Sequence, residues 1–446
     1  MKKFLIIIVL LILVSITASA VSEITLNDVK KPQSAILFIV DGFGSSYYYP
    51  ELMPLALDGG EIPKARTQNL TFGARVINIK TPTPVTGIAH SVIVTGDSKA
   101  NEEIVGYPDA TIFDVTRKHG FVNIAVMEKG DFKNMREEQD IIIFAENNSI
   151  DKPLMTIQSK SPPNGVYDLM YEWKMKAPSY MNKSGVDKYS AYNKWGIDTA
   201  DAVVQFMIKN HPDQKFLLTV NIGAIDAGGH NLGALDYVKL IEDLDRDFYP
   251  LYRTASDNDI ALFFTADHGM SFAVKNAHRG GHSGDKYLSR QESLRIPLVI
   301  LSPNAVSGVV SGEYRQEDIA PTLLCVLDLP DNLQYADGKA INVKNYASIF
   351  VKADSKYTVS LWDNGRKLSE NSDSELIFAG LPLNASYTLK AKGSGSTFEE
   401  QVSLDSDKQF NFKNANSGLN TRSIVAIILI LVVIIGGLFV IRRIKG

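Results

Sequence analysis

Apolar residues recur in two textures along the 446-residue chain, and the change between them falls near residue 350. Before it, short unbroken apolar runs alternate with longer segments of helical period. The runs at 35–40, 121–126, 215–221, 260–266 and 296–301 show little alternation, as expected of strands buried on both faces of a parallel sheet. The clearest helix covers 234–255, where Tyr237, Leu240, Ile241, Leu244, Phe248 and Leu251 form one apolar stripe. The pattern predicts an α/β layered domain, a largely parallel central sheet with helices on both faces. Residues 155–190 interrupt it. They are rich in Pro, Tyr, Lys and Ser, carry a Pro162-Pro163-Asn164-Gly165 turn, and read as a surface excursion.

After Val351 the period drops to two. Strands are expected at 357–362, 375–378, 386–392 and 398–404, separated by turns at Asp363-Asn364-Gly365 and at 392–395. This is a small all-β module, sandwich-like, over 351–413. It lies near the lower size at which a domain stands alone. It holds no cluster of catalytic type and reads as a spacer.

The ends add a membrane context. Lys2 and Lys3, an apolar run at 4–14 and Ala18-Ser19-Ala20 make a signal peptide over 1–20. An unbroken apolar run at 424–441, followed by Arg442, Arg443 and Lys445, predicts a transmembrane helix at 423–441. The basic tail, 442–446, is then cytoplasmic. The expected plan is signal peptide, catalytic domain at 21–350, all-β module, linker at 414–422, membrane helix and tail. The protein would be a single-pass cell-membrane protein with its catalytic domain extracellular.

The chain carries a formal charge of −4, and five cations sit in the end segments, so the exported body is more acidic still. That excludes a basic footprint for nucleic acid. Cys325 is the only cysteine, so no intrachain disulfide can form. N-x-S/T sites begin at Asn69, Asn147, Asn182 and Asn384.

Candidate chemistry gathers at strand ends. Asp41-Gly42 and Asp267-His268-Gly269 each follow a buried run directly, where α/β proteins bind ligands. Asp226 and His230 stand four apart, one helical turn, so both can face one point. His282 follows Gly280-Gly281, which permits close backbone approach, and His278 is its rival. Thr86, before Gly87, would open a helix whose first amides face a bound anion. Any one of these pieces alone is more often a helix cap; several at successive strand ends point to metal-assisted attack by a hydroxyl. His90, four residues after Thr86, is expected to pack beneath the helix.

In this order, these residues resemble the alkaline phosphatase superfamily. The likeness spans most of the first 345 residues and extends through Thr95-Gly96, 99–106, a helix at 109–120, and the stretches RIPLVILSPN and DIAPTLLCVLDLP. It implies two divalent cations, zinc first, with manganese or magnesium as alternatives. Asp41, Asp267 and His268 would hold one together with Thr86; Asp226, His230 and His282 would hold the other. Thr86 would attack phosphorus to give a phosphothreonine, which water then hydrolyses. The chain departs from alkaline phosphatases proper at Asn221, where a third-metal glutamate is expected. It departs from nucleotide pyrophosphatases at Ala89, where an asparagine holds phosphate. Lys129 and Arg136 are the candidates for the basic phosphate contact. The expected function is hydrolysis of phosphate esters, small-molecule or lipid-linked. The alternatives are a phosphoryl-group transferase, such as a phosphoethanolamine transferase, and a non-catalytic surface binding protein on the same scaffold. A sulfatase would need a C/S-x-P-x-R motif, which Cys325 lacks.

Overall fold

The computed structural model describes residues 22–329, 333–393 and 396–412. The signal peptide, linker, membrane helix and basic tail expected at 1–20 and 414–446 lie outside the described residues. Among the described residues, no helix is long and apolar enough to cross a membrane. The chain divides into two compact units, Val29–Asn345 and the remainder on either side of it.

The larger unit is built on a sheet of ten described strands. Its order is Gly308–Val310, Ala74–Lys80, Arg295–Leu301, Ala261–Ala266, Ala35–Val40, Phe216–Ile222, Val122–Met127, Ile141–Ala145 and Met155–Ser159, with Tyr314–Arg315 beside Ala74–Lys80. The five strands from Ala261–Ala266 to Ile141–Ala145 are parallel neighbours. Their side chains are buried on both faces, which explains the unbroken apolar runs. Long helices at Val186–Asn210 and Ala234–Asp257 supply buried stripes to the same core.

The sheet is mixed rather than uniformly parallel. Arg295–Leu301 runs antiparallel to both neighbours. It starts at the carboxyl edge, directly after the short helix Gln291–Leu294, with no crossover to carry the chain back. Met155–Ser159 is an antiparallel edge strand, and Val166–Tyr180 packs Val166, Met170 and Ala177 inward. Residues 155–190 are therefore part of the layered fold, where an excursion was expected.

The second unit is built on a six-stranded sheet, in which the long strand Ala347–Asp363 changes partners part-way along. Ala347–Asp363, Arg366–Leu381, Ala385–Gly393 and Ser396–Leu404 pair antiparallel. The expected turn at Asn364-Gly365 has positive φ at both residues, the geometry of a tight hairpin. Two strands of the unit carry no clear sequence signal. Lys408–Phe412 and Ser22–Thr25 join as parallel partners of Ala347–Asp363 and Arg366–Leu381. Residues 22–25, counted with the catalytic domain in sequence, thus belong to this sheet.

Candidate metal centre

Four adjacent parallel strands end at one level, and each delivers polar side chains there. Ala261–Ala266 leads to Asp267 and His268, Ala35–Val40 to Asp41, Phe216–Ile222 to the helix Ala224–Asn231 bearing Asp226 and His230, and Val122–Met127 to Glu128 and Lys129. Gly42, at φ 72°, is required by more than its turn: a Cβ there would stand 2.7 Å from the Asp226 Cβ. Its N–H donates to Asp267 Oδ1 at 2.9 Å, and the His268 N–H donates to the same oxygen at 2.7 Å. Tyr237 closes the turn by donating to the Gly42 carbonyl (2.6 Å) and accepting from the Gly44 N–H (3.0 Å). Thr86 is the first residue of the helix Thr86–Thr95, and its hydroxyl lies 3.1 Å from His268 Nε2.

Three histidines are oriented alike. Nδ1 of His268 faces the Gly269 carbonyl at 2.9 Å, that of His282 the Pro84 carbonyl at 2.7 Å, and that of His230 the Gly280 carbonyl at 3.2 Å. A carbonyl accepts only, so each Nδ1 carries the proton and each Nε2 can present a lone pair. All three Nε2 atoms point at carboxylate oxygens. His230 and His282 lie 3.4 and 3.5 Å from Asp226 Oδ1; His268 lies 3.3 Å from Asp267 Oδ2 and 3.6 Å from Asp41 Oδ1. Those carboxylate oxygens are buried and lack hydrogen bonds. Lone pairs facing lone pairs repel unless a proton or a metal cation stands between them. The donor set of carboxylate oxygens and imidazole nitrogens suits zinc and its neighbours.

Two groups have ligand spacing: Asp226, His230 and His282, and Asp41, Asp226 and His268. Asp226 stands with both. The His268 and His282 rings stack at 3.7 Å, so the groups share one crevice.

The electrostatics are those of a crowded acidic site. Burial, then the neighbouring Asp267, raises Asp41 to about 7. Burial also opposes ionisation of Asp226, but Lys129 and His230 outweigh it and hold that carboxyl well below its ordinary range. Asp267 goes down to about 2, since His268 and His90 overcome its burial. Lys129 is ion-paired to Asp41 and, at 3.4 Å, to Asp226; those two partners overcome its burial and keep it charged. His282 is pushed down to about 4 by burial and by His268, which keeps the imidazole neutral with a lone pair on Nε2.

Residues 181–329 match the family model of the metalloenzyme superfamily. The fold of the chain is similar to the crystal structure of wild-type alkaline phosphatase PafA, at 14% identity and TM-score 0.51, over 71% of this chain and 99% of that one. A multiply substituted PafA variant matches at 15% identity and TM-score 0.50, over 71% and 100%. A putative sulfatase, yidJ from Bacteroides fragilis, matches at 13% identity and TM-score 0.45, over 85% and 90%. No curated protein matches.

The seven residues singled out in sequence come together in this crevice: Asp41, Thr86, Asp226, His230, Asp267, His268 and His282. His278 is exposed and stays outside. Of the two basic candidates, Lys129 reaches the centre. Arg136 instead lies over the Phe144 ring at 4.4 Å. His90 packs on Phe132 as expected and also reaches Asp267 Oδ2 at 3.4 Å. Its i, i+4 spacing from Thr86 is the signal that could have found it. Glu128 is a further arrival. It accepts from the Gly223 N–H at 2.8 Å, at the start of the helix bearing Asp226, and no local pattern marks it.

Proposed function

We propose that the protein hydrolyses phosphate esters, with Thr86 as nucleophile and two divalent cations held by the Asp/His groups. The observation that carries this is the common orientation of His230, His268 and His282, each with Nδ1–H on a carbonyl and Nε2 turned toward bare carboxylate oxygens. Asp41, Asp267 and His268 would hold one cation beside Thr86, and Asp226, His230 and His282 the other. When bound, such cations supply charge neutralisation at the phosphoryl oxygens and ease loss of the hydroxyl proton.

The chain's own residues do the rest. Thr86 Oγ1 is placed at the helix start, so the first free amides face the incoming anion. Its oxygen forms the new P–O bond while the ester P–O bond breaks and the alcohol leaves with a proton. Water then attacks phosphorus, the bond to Thr86 breaks, and phosphate departs. Lys129, held charged by Asp41 and Asp226, offers a positive group at the same edge for a phosphoryl oxygen. The apolar runs at the two ends support an exported enzyme anchored by its C-terminus.

The test is turnover of aryl phosphate monoesters and diesters, with an aryl sulfate alongside, by full-length protein. Activity should vanish with chelator, return with Zn²⁺, Mn²⁺ or Mg²⁺, and be absent in Thr86→Ala. Turnover that survives both chelation and that substitution would sink the mechanism. Aryl sulfate turnover exceeding that of both phosphates would move the substrate class.

A further inference from the structure

We propose that His90 is a positioning residue: held from behind by Asn221, it ties the backbone of Thr86 to the free carboxylate oxygen of Asp267. This rests on the assignment of Thr86 and Asp267 to one reaction centre. His90 sits one turn into the helix Thr86–Thr95 and is fully buried. A histidine that merely filled space would leave its nitrogens to chance, but here both are engaged. Nδ1 lies 2.9 Å from the Thr86 carbonyl oxygen and 3.4 Å from Asp267 Oδ2. Nε2 lies 3.0 Å from the Asn221 amide nitrogen. The ring stacks on Phe132 at 4.1 Å, so it cannot turn freely.

Each partner has few other choices. Asp267 Oδ1 is already taken by the N–H groups of Gly42 and His268, which leaves Oδ2 for the crevice. His90 Nδ1 approaches that oxygen at 3.4 Å, and with the two N–H groups on Oδ1 it sets the plane of the carboxylate. Asn221 is fully buried at the end of the strand Phe216–Ile222, and its Oδ1 has no hydrogen bond, so its amide serves His90. The result is a chain of contacts from strand to imidazole to helix start. It fixes where the Thr86 hydroxyl stands relative to Asp41, Asp267 and His268. Partners of this kind, one contact removed from a ligand, orient it and tune its affinity.

The experiment compares full-length wild type with His90→Ala, His90→Phe, His90→Gln, Asn221→Ala and the His90→Ala/Asn221→Ala pair. Two readouts are taken: calorimetric Mn²⁺ titration of chelator-stripped protein, and kcat and KM on an aryl phosphate. Loss of the tie should lower kcat about 100-fold with KM within about threefold, because an ångström-scale misplacement acts on the chemical step. His90→Ala and His90→Phe should also weaken one of two Mn²⁺-binding steps about tenfold and leave the other unchanged. His90→Gln, whose amide can still donate, should recover most of both losses. Asn221→Ala should act in the same direction but less, and the double variant should be no worse than His90→Ala alone.

A His90→Phe variant with wild-type kcat and Mn²⁺ binding would reduce His90 to packing and overturn the proposal. So would equal weakening of both binding steps, or strict additivity with Asn221→Ala. If His90→Ala does not fold, His90→Gln and Asn221→Ala carry the same comparison. If wild type turns over no phosphoester, the proposed function fails, while the calorimetric comparison still decides whether His90 serves Asp267.

Discussion

The two halves of the candidate metal centre share a crevice but differ in how they meet water. Asp41, Asp267 and His268 are wholly buried; in the other half Asp226 and His282 are buried too, and His230 alone, its side chain 39% exposed, stands at the crevice mouth. The inner half carries more carboxylate than its neighbours can satisfy, and the protein places Lys129 and His90 against it. The outer half is two imidazoles around one shared carboxylate, Asp226. Burying charge is costly unless an opposite charge is close, so the inner half had to be built into the sheet. The outer half can lean on solvent through His230 alone. The inner half should therefore be intolerant of change and slow to exchange its cation, the outer half tolerant and fast.

Substitution gives the largest effect. Thr86→Ala and Asp267→Asn, both on the inner half, are expected to lower kcat at least about 1,000-fold, with no recovery in excess metal. On the outer half, His230→Ala should weaken apparent metal affinity about 10- to 100-fold, with kcat returning as Zn²⁺ or Mn²⁺ is raised. Equal, unrescuable losses in both halves would break the contrast. Exchange sharpens it: protein loaded with two equivalents should give up one to a chelator about tenfold faster than the other, and His230→Ala should speed only the faster phase. Release in a single phase would argue for one fused site.

The smallest effect concerns Glu128, behind the inner half. Burial, working against the N–H groups of Gly223 and Ala224, raises its carboxyl from 4.5 to about 8. A group whose folded-state pKa is raised contributes stability that is complete below 4.5 and lost as pH rises to about 8. In chelator-treated protein, Glu128→Gln should melt with wild type near pH 4.5 and several degrees above it near pH 9. A melting difference that is the same at both pH values would show that Glu128 keeps its ordinary pKa.

Much of the centre was legible before any coordinates. Asp41 and Asp267-His268 announce themselves by following apolar runs directly, and Asp226 and His230 by one-turn spacing. The same one-turn rule links His90 to Thr86, but a lone histidine on a buried helix face looks the same whether it packs or positions. Lys129 and Glu128 follow an apolar run too, at Val122–Met127; the resemblance offers Lys129 beside Arg136 as a phosphate contact without deciding between them, and no local pattern marks Glu128. Only the parallel pairing of that strand with Phe216–Ile222 brings them beside Asp41.

The sequence by itself determined the alternation of strands and helices, the shift to an all-β unit, and which ligand-type residues stand at strand ends. Those are local properties: burial on both faces erases alternation, and a strand end is where the chain meets the crevice. The tertiary structure decided the antiparallel course of Arg295–Leu301, the capture of Ser22–Thr25 by the C-terminal sheet, and the position of Asp226 between both halves of the centre. These depend on partners far away in the chain. Strand direction, sheet membership and ligand sharing are set by long-range pairing and by where buried charge finds its counter-charge, and neither leaves a mark in the neighbouring residues.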